Sequence, residues 1–112
     1  MELKLRVFKD GKMYGHTEAV RLLYNKTVLL EDEEFIIMLF TGLKDKNGKE
    51  IYEGDIIEFK KSGAHETTVV KIVFSEGRYL GRHDGDPDKF YYDIHYSNKK
   101  IIGNIHENPE LL

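Results

Sequence analysis

The chain of 112 residues has no cysteine, no tryptophan and only two prolines, and its longest apolar run is the six residues 35–40. Without cysteine there are no disulfides, no cysteine-held iron–sulfur cluster, no zinc knuckle and no thiol catalysis. Six apolar residues fall far short of the roughly twenty that a membrane-crossing helix requires. The opening Met1-Glu2-Leu3-Lys4-Leu5-Arg6 alternates apolar and charged groups, so no signal peptide is expected and a cytoplasmic location, with no membrane contact, is. A surplus of positive charge is also missing: 17 Lys and Arg face 20 Asp and Glu, a net charge of −3. Nonspecific affinity for nucleic acid comes mainly from neutralising phosphates, so the bulk charge gives no support to polyanion binding. The acidity is local, with nine acidic and three basic groups in residues 31–58, while residues 1–30 hold six basic and three acidic groups. Lys4, Arg6, Lys9 and Lys12 read as the wet face of a first strand.

A hydrophobic content of 40% beside 33% charged residues fits one ordered domain spanning residues 1–112. Leu3, Leu5 and Val7 alternate and Asp10-Gly11 follows, a strand and a tight turn. Residues 18–24 allow two readings. Thr17 could cap a short helix, but Val20, Leu22 and Tyr24 also alternate, and with Thr27-Val28 beyond Asn25-Lys26 a hairpin is expected. Residues 31–34 read as a solvated turn and 35–40 as a strand. Leu43, Ile51 and Tyr52 are placed to pin the turn-rich 41–55 stretch to the core. Further strands are expected over 55–59, 66–74, 78–82, 89–96 and 99–105, divided by Gly63, Glu76-Gly77, residues 84–88 and Ser97-Asn98. The expected fold is mainly β with little helix: N-terminal strands and hairpins over 1–40 packed on a small antiparallel barrel or strongly curled sheet over 41–112.

Groups that could carry chemistry are sparse. Asp84, Asp86 and Asp88 take the first, third and fifth places of a calcium loop, but Lys89 stands where glycine is needed and His95 where a bidentate Glu is needed. A solvated hairpin loop is expected there, with a weakly held Ca²⁺ or Mg²⁺ as the alternative. His16, His65, His83, His95 and His106 are scattered, and His83, His95 and His106 could share a zinc ion only if neighbouring strands aligned them. Ser62, Ser75 and Ser97 lack a nucleophile elbow, and Gly77, Gly81 and Gly85 match no phosphate-binding fingerprint. No catalytic residue, metal or cofactor is expected. The aromatic sector holds Tyr79, Phe90, Tyr91, Tyr92 and Tyr96, with Tyr92, Ile94 and Tyr96 on one strand face and Tyr91, Asp93 and His95 on the other. Arg78, Arg82, Tyr91 and His95 are therefore the candidate binding residues. They could stack bases beside cations, form a subunit contact, or simply pack across strands.

The stretch Phe40-Thr41-Gly42-Leu43-Lys44-Asp45-Lys46-Asn47-Gly48-Lys49-Glu50-Ile51-Tyr52-Glu53-Gly54-Asp55-Ile56-Ile57 closely resembles the YopX family of small phage and prophage proteins. The ending Ile102-Gly103-Asn104-Ile105-His106-Glu107-Asn108-Pro109-Glu110-Leu111-Leu112 resembles that family's ending, and Arg6-Val7-Phe8 through Met13-Tyr14 its opening. Residues 60–99 match only loosely, and Leu39 departs from the Gln common in the family. The resemblance implies a phage or integrated-prophage origin and a β-rich fold, and it offers no catalytic residues to carry over. Within its motifs, Thr41, Gly42, Asp45, Asn47, Gly48, Gly54, Asp55, Gly103, Asn104 and Pro109 read as turn architecture, since Asn-Gly supplies positive φ and the proline ring locks its own φ at about −65°. Leu111 and Leu112 are expected to dock on their own domain, or else on a partner subunit. The expected function is an accessory role through self-association or binding to a host or phage protein. A nucleic-acid module using Arg78, Arg82 and Tyr91 is the alternative, and a metal-dependent hydrolase at Asp84, Asp86 and Asp88 the third reading.

Overall fold

A computed structural model describes residues 3–24, 35–60, 63, 65–83, 91–95 and 98–112, with backbone alone at Tyr91. The strands are β1 (Leu5–Lys9), β2 (Lys12–Tyr14), β3 (Ile36–Lys44), β4 (Glu50–Tyr52), β5 (Asp55–Phe59), β6 (Thr68–Ser75), β7 (Arg78–Arg82), β8 (Tyr91–Tyr92) and β9 (Lys100–Asn104). They form a four-stranded sheet in the order β2-β1-β3-β4 and a five-stranded sheet in the order β8-β7-β6-β5-β9, every pairing antiparallel. The second sheet curls into a half-barrel, so the mainly β reading holds.

Turn chemistry sets the hairpins. Asp10-Gly11 and Glu76-Gly77 each have positive φ at both residues, the geometry that matches the twist of paired strands across a two-residue loop. Ser75 then faces Arg78 in register, and Lys9 faces Lys12.

The main core joins Ile51, Ile57, Phe59, Val70, Ile72 and Ile94, with Leu43, Tyr79, Tyr92 and Ile101 packed around it. β5 supplies Ile57 and Phe59 to this core and buries Ile56 on its other face, so it is covered on both sides. Gly81 leaves room for this packing. A Cβ there would lie 2.5 Å from Val70 Cγ2 and 3.1 Å from Ile94 Cγ2, both on stiff β-branched side chains. Gly81→Ala is expected to destabilise the fold by about 1–3 kcal/mol through overpacking, read as a lower denaturant midpoint at unchanged slope.

Residues 16–24 are helical, which corrects the expected hairpin. Helix α1 (His16–Tyr24) begins one residue before Thr17, with the Ala19 amide donating to the Gly15 carbonyl at 2.8 Å. Ala19 is fully buried, and Leu22 and Leu23 are half-buried three and four positions later, while Val20 and Tyr24 are exposed. The inward stripe therefore has helical spacing, and the alternation of Val20, Leu22 and Tyr24 does not coincide with burial. The Leu5 amide donates to His16 Nδ1 at 3.1 Å, fixing the start of α1 to β1. Thr27-Val28 and the expected acidic turn at 31–34 lie outside the described residues.

Two further boundaries move. β3 continues to Lys44 through a register shift between Phe40 and Lys44, where Gly42 has φ +87. The Thr41 hydroxyl donates to the Ile51 carbonyl at 2.7 Å and accepts from the Leu43 amide at 3.1 Å, supporting the irregularity from both strands. Past Tyr92, residues 93–95 are not strand, although Ile94 is buried and Asp93 and His95 are exposed as the alternation predicts. The tail closes in a 3-10 turn at Pro109–Leu111, but Leu111 and Leu112 remain 38% and 47% exposed rather than docked.

Candidate functional site

The turn-rich motif builds two structural junctions. The first is the corner between the sheets at Glu53-Gly54. The Glu53 amide donates to the Leu39 carbonyl in one sheet, and the Gly54 amide donates to the Ile72 carbonyl in the other, each at 2.9 Å. Gly54 has φ +84, and a Cβ there would meet Met38 Sδ at 3.2 Å, so two independent constraints favour glycine.

Across this corner Arg6 of β1 holds Asp55 of β5 at 2.6 Å, with side chains only 14% and 3% exposed. The other Asp55 oxygen accepts the Tyr52 amide at 2.8 Å, and the Arg6 guanidinium lies 4.8 Å from the Tyr52 ring centre. Burial drives the Asp55 carboxyl above its ordinary range, further than Arg6 and the Tyr52 amide pull it down. Arg6 Nε is buried without a hydrogen-bond partner among the described residues. Lys4 pairs with Glu50 and Lys9 with Asp10, so the four basic groups of the first strands are not a free patch: Lys12 itself lies over Tyr14.

The second junction covers the outer edge of β9. Asp45 Oδ1 accepts the Asn47 and Lys49 amides at 2.8 and 2.9 Å, while Oδ2 accepts the Ile101 amide at 3.1 Å. Burial pushes the Asp45 carboxyl up, but these amides and the Lys49 charge outweigh it and hold the group below its ordinary value. The Lys46 amide adds a bond to the Lys99 carbonyl. At the other end of β9 the Asn104 amide donates to Asn108 Oδ1, and Asn104 Oδ1 accepts the His106 and Glu107 amides. A Cβ on Gly103 would fall 2.6 Å from Asn108 Oδ1, so glycine lets this turn close. Asp45 and Asn104 hold turns at the two ends of β9, and Asp45 also occupies an edge amide that would otherwise be open to another strand.

The open surface lies elsewhere. Val70, Ile72 and Phe74 share one face of β6, yet only the first two are buried, and Phe74 is 55% exposed with its ring 4.9 Å from that of Tyr79. A groove of about 440 Å³ is lined by Thr41, Leu43, Phe74, Arg78, Tyr79 and His95, within the size range of ligand and peptide sites. On the other side of Phe74, Ile36, Ile37, Met38, Val73, Ile105 and His106 line an apolar groove of about 250 Å³. Ile37 there is 48% exposed.

Two of the four candidate binding residues therefore meet. Arg78 and His95 line the groove beside Phe74, whereas Arg82 faces Tyr91 across strands at the far end of β7. Asp93 Oδ1 lies 2.6 Å from His95 Nδ1, and the His95 amide and ring hold the Asp93 carboxyl low. His83 contacts the Val69 carbonyl at 3.2 Å, and His106 stacks on Phe8 at 5.0 Å, its imidazole depressed by burial and then by the Arg6 charge. The three histidines considered for zinc thus have separate surroundings, and among the described residues no group of three His or carboxylates could share a metal. Asp84, Asp86 and Asp88 lie outside the described residues. Sequence reasoning missed the buried roles of Arg6 and Lys99, which alternation assigns to water, and missed Phe74, which alternation assigns to the core. Lys99 is 6% exposed; burial lowers its ammonium, against the pull of Asp45 and Asp93.

The family model described as YopX protein matches residues 6–112. The crystal structure of protein EF1440 from Enterococcus faecalis is similar with a TM-score of 0.59 and 25% identity, over 100% of this chain and 99% of that one. No curated protein matches. Among the described residues no helix is long and apolar enough to cross a membrane.

Proposed function

Because the chain belongs to the YopX family over nearly its whole length, we propose that it is a phage or prophage accessory protein of the bacterial cytoplasm that acts by binding protein rather than by catalysis. The observation that carries this reading is Phe74, exposed on a core-facing register between two grooves. An aromatic anchor between apolar depressions, with Arg78 at the rim, has the composition of a contact centre. The occupant is a second copy of the chain or a host or phage protein.

Sedimentation equilibrium, with cross-linking to any partner mapped by mass spectrometry, tests the reading. Phe74→Asp is expected to weaken the association about thirtyfold, the effect of losing a contact worth ~2 kcal/mol, with the far-ultraviolet dichroism unchanged. A monomer that cross-links to nothing through this face overturns the reading, as does association that persists in the variant. Arg78 beside Phe74 and Tyr79 supports a second reading, stacking of single-stranded nucleic acid. That reading requires salt-sensitive oligonucleotide binding that Arg78→Ala abolishes.

A further inference from the structure

A different face carries an electrostatic feature that the protein-binding reading does not use. Lys46, Lys60 and Lys100 line one polar cleft of about 150 Å³ together with Glu58, Thr67 and Asn98, above the buried ring of Phe59. The lysines come from three segments: the loop covering β9, the residue after β5, and the first residue of β9. Among the described residues none of the three ammonium groups has an ion-pair partner. In a chain with more acidic than basic side chains, convergence of three unpaired cations is a local exception to the average. Glu58, the cross-strand neighbour of Lys100, offsets one charge and leaves two.

The backbone under these lysines is held in place. The Lys46 amide is tied to the Lys99 carbonyl at 2.9 Å, and the preceding carboxylate of Asp45 fixes the loop through three amides. Lys100 is anchored by the β5–β9 ladder. Each ammonium can offer several N–H donors, Thr67 a hydroxyl and Asn98 an amide NH₂, so the lining is dominated by donors. We propose that this cleft binds a single phosphate group of a small phosphorylated molecule. Two excess positive charges complement a phosphate dianion, and charge-assisted donors bind such oxygens well. The cleft is smaller than the roughly 300 Å³ at which pockets begin to enclose drug-sized ligands, so the rest of the molecule lies outside it. The net negative charge of the chain opposes a long polyanion but not one local phosphate.

The test is calorimetric titration of the full chain with inorganic phosphate, a nucleoside monophosphate and a short oligothymidylate, at ionic strength matched with chloride. Phosphate and the monophosphate are expected to bind, and Lys46→Gln and Lys100→Gln each to weaken them about tenfold, as for loss of a hydrogen bond to a charged group. Circular dichroism of these exposed-site variants reports whether the fold persists. Binding of inorganic phosphate alone supports the site and makes free phosphate the ligand; stronger binding of the monophosphate supports a phosphorylated metabolite. No heat with either, equal binding by a Lys46→Gln, Lys60→Gln, Lys100→Gln triple variant, or binding of the oligonucleotide alone overturns the proposal. Phe74→Asp is expected to leave phosphate binding unchanged, which separates failure here from failure at the protein-binding face.

Discussion

Asp55→Ala is expected to cost about 3–5 kcal/mol, the loss typical when one partner of a buried ion pair is removed. The cost arises on the Arg6 side. Its guanidinium, 14% exposed and already carrying one unpartnered nitrogen, would lose the carboxylate 2.6 Å away. The Tyr52 amide would lose its acceptor as well. Small domains have only about 5–15 kcal/mol of stability, so the variant is expected to show a substantial unfolded fraction by circular dichroism and a collapsed urea midpoint. Because the pair joins β1 of one sheet to β5 of the other, both sheets should unfold together rather than the N-terminal strands alone. The double replacement Arg6→Met, Asp55→Leu is expected to recover part of the loss, since apolar substitutes for buried pairs are often neutral, while the orphaned Tyr52 amide limits recovery. A cost for Asp55→Ala below about 1 kcal/mol would sink the argument, because that is the worth of a pair screened by water.

Local signals made much of this fold legible. Asp10-Gly11, Glu76-Gly77 and Asn47-Gly48 marked turns because each supplies a glycine that adopts positive φ without steric cost, and the alternation of Tyr92, Asp93, Ile94 and His95 placed inward and outward sides correctly. Residues 18–24 failed because seven residues can satisfy a two-residue and a 3.6-residue period at once; burial of Ala19 against the domain decides between them, and that is a tertiary fact. The same limit hid the exposed aromatic face. Phe74 looks like any other apolar position of β6, and only the end of the covering core leaves it exposed. Arg6 was illegible for the converse reason. Its charge predicts solvent, but Asp55, distant in sequence, supplies the partner that makes burial tolerable. The grouping of Arg78 with His95, but not with Arg82 and Tyr91, likewise depended on where the chain turns after Tyr92.

Asp45→Ala is expected to cost about 3 kcal/mol, because one carboxylate satisfies three backbone amides and each unsatisfied buried donor costs ~1–3 kcal/mol, reduced where water enters. Asp45→Asn separates the parts. Its carbonyl can still accept the Asn47 and Lys49 amides, but its NH₂ then faces the Ile101 amide, donor against donor, at a cost of about 1–3 kcal/mol. The pH dependence follows from the lowered carboxyl. A folded-state pKa below the unfolded one gives stability that is present above the unfolded value, about 3.9, and is lost as pH falls through the folded value. The gap between wild type and Asp45→Asn, measured as urea midpoints, should therefore be full near neutrality and shrink below about pH 4; a gap that widens on acidification contradicts this assignment. Loss of the Asp45 bond also frees the Ile101 amide on the outer edge of β9, which is a template for strand addition. Both variants should then show concentration-dependent association by sedimentation that persists when Phe74→Asp is added, because the two contacts use different faces of the molecule.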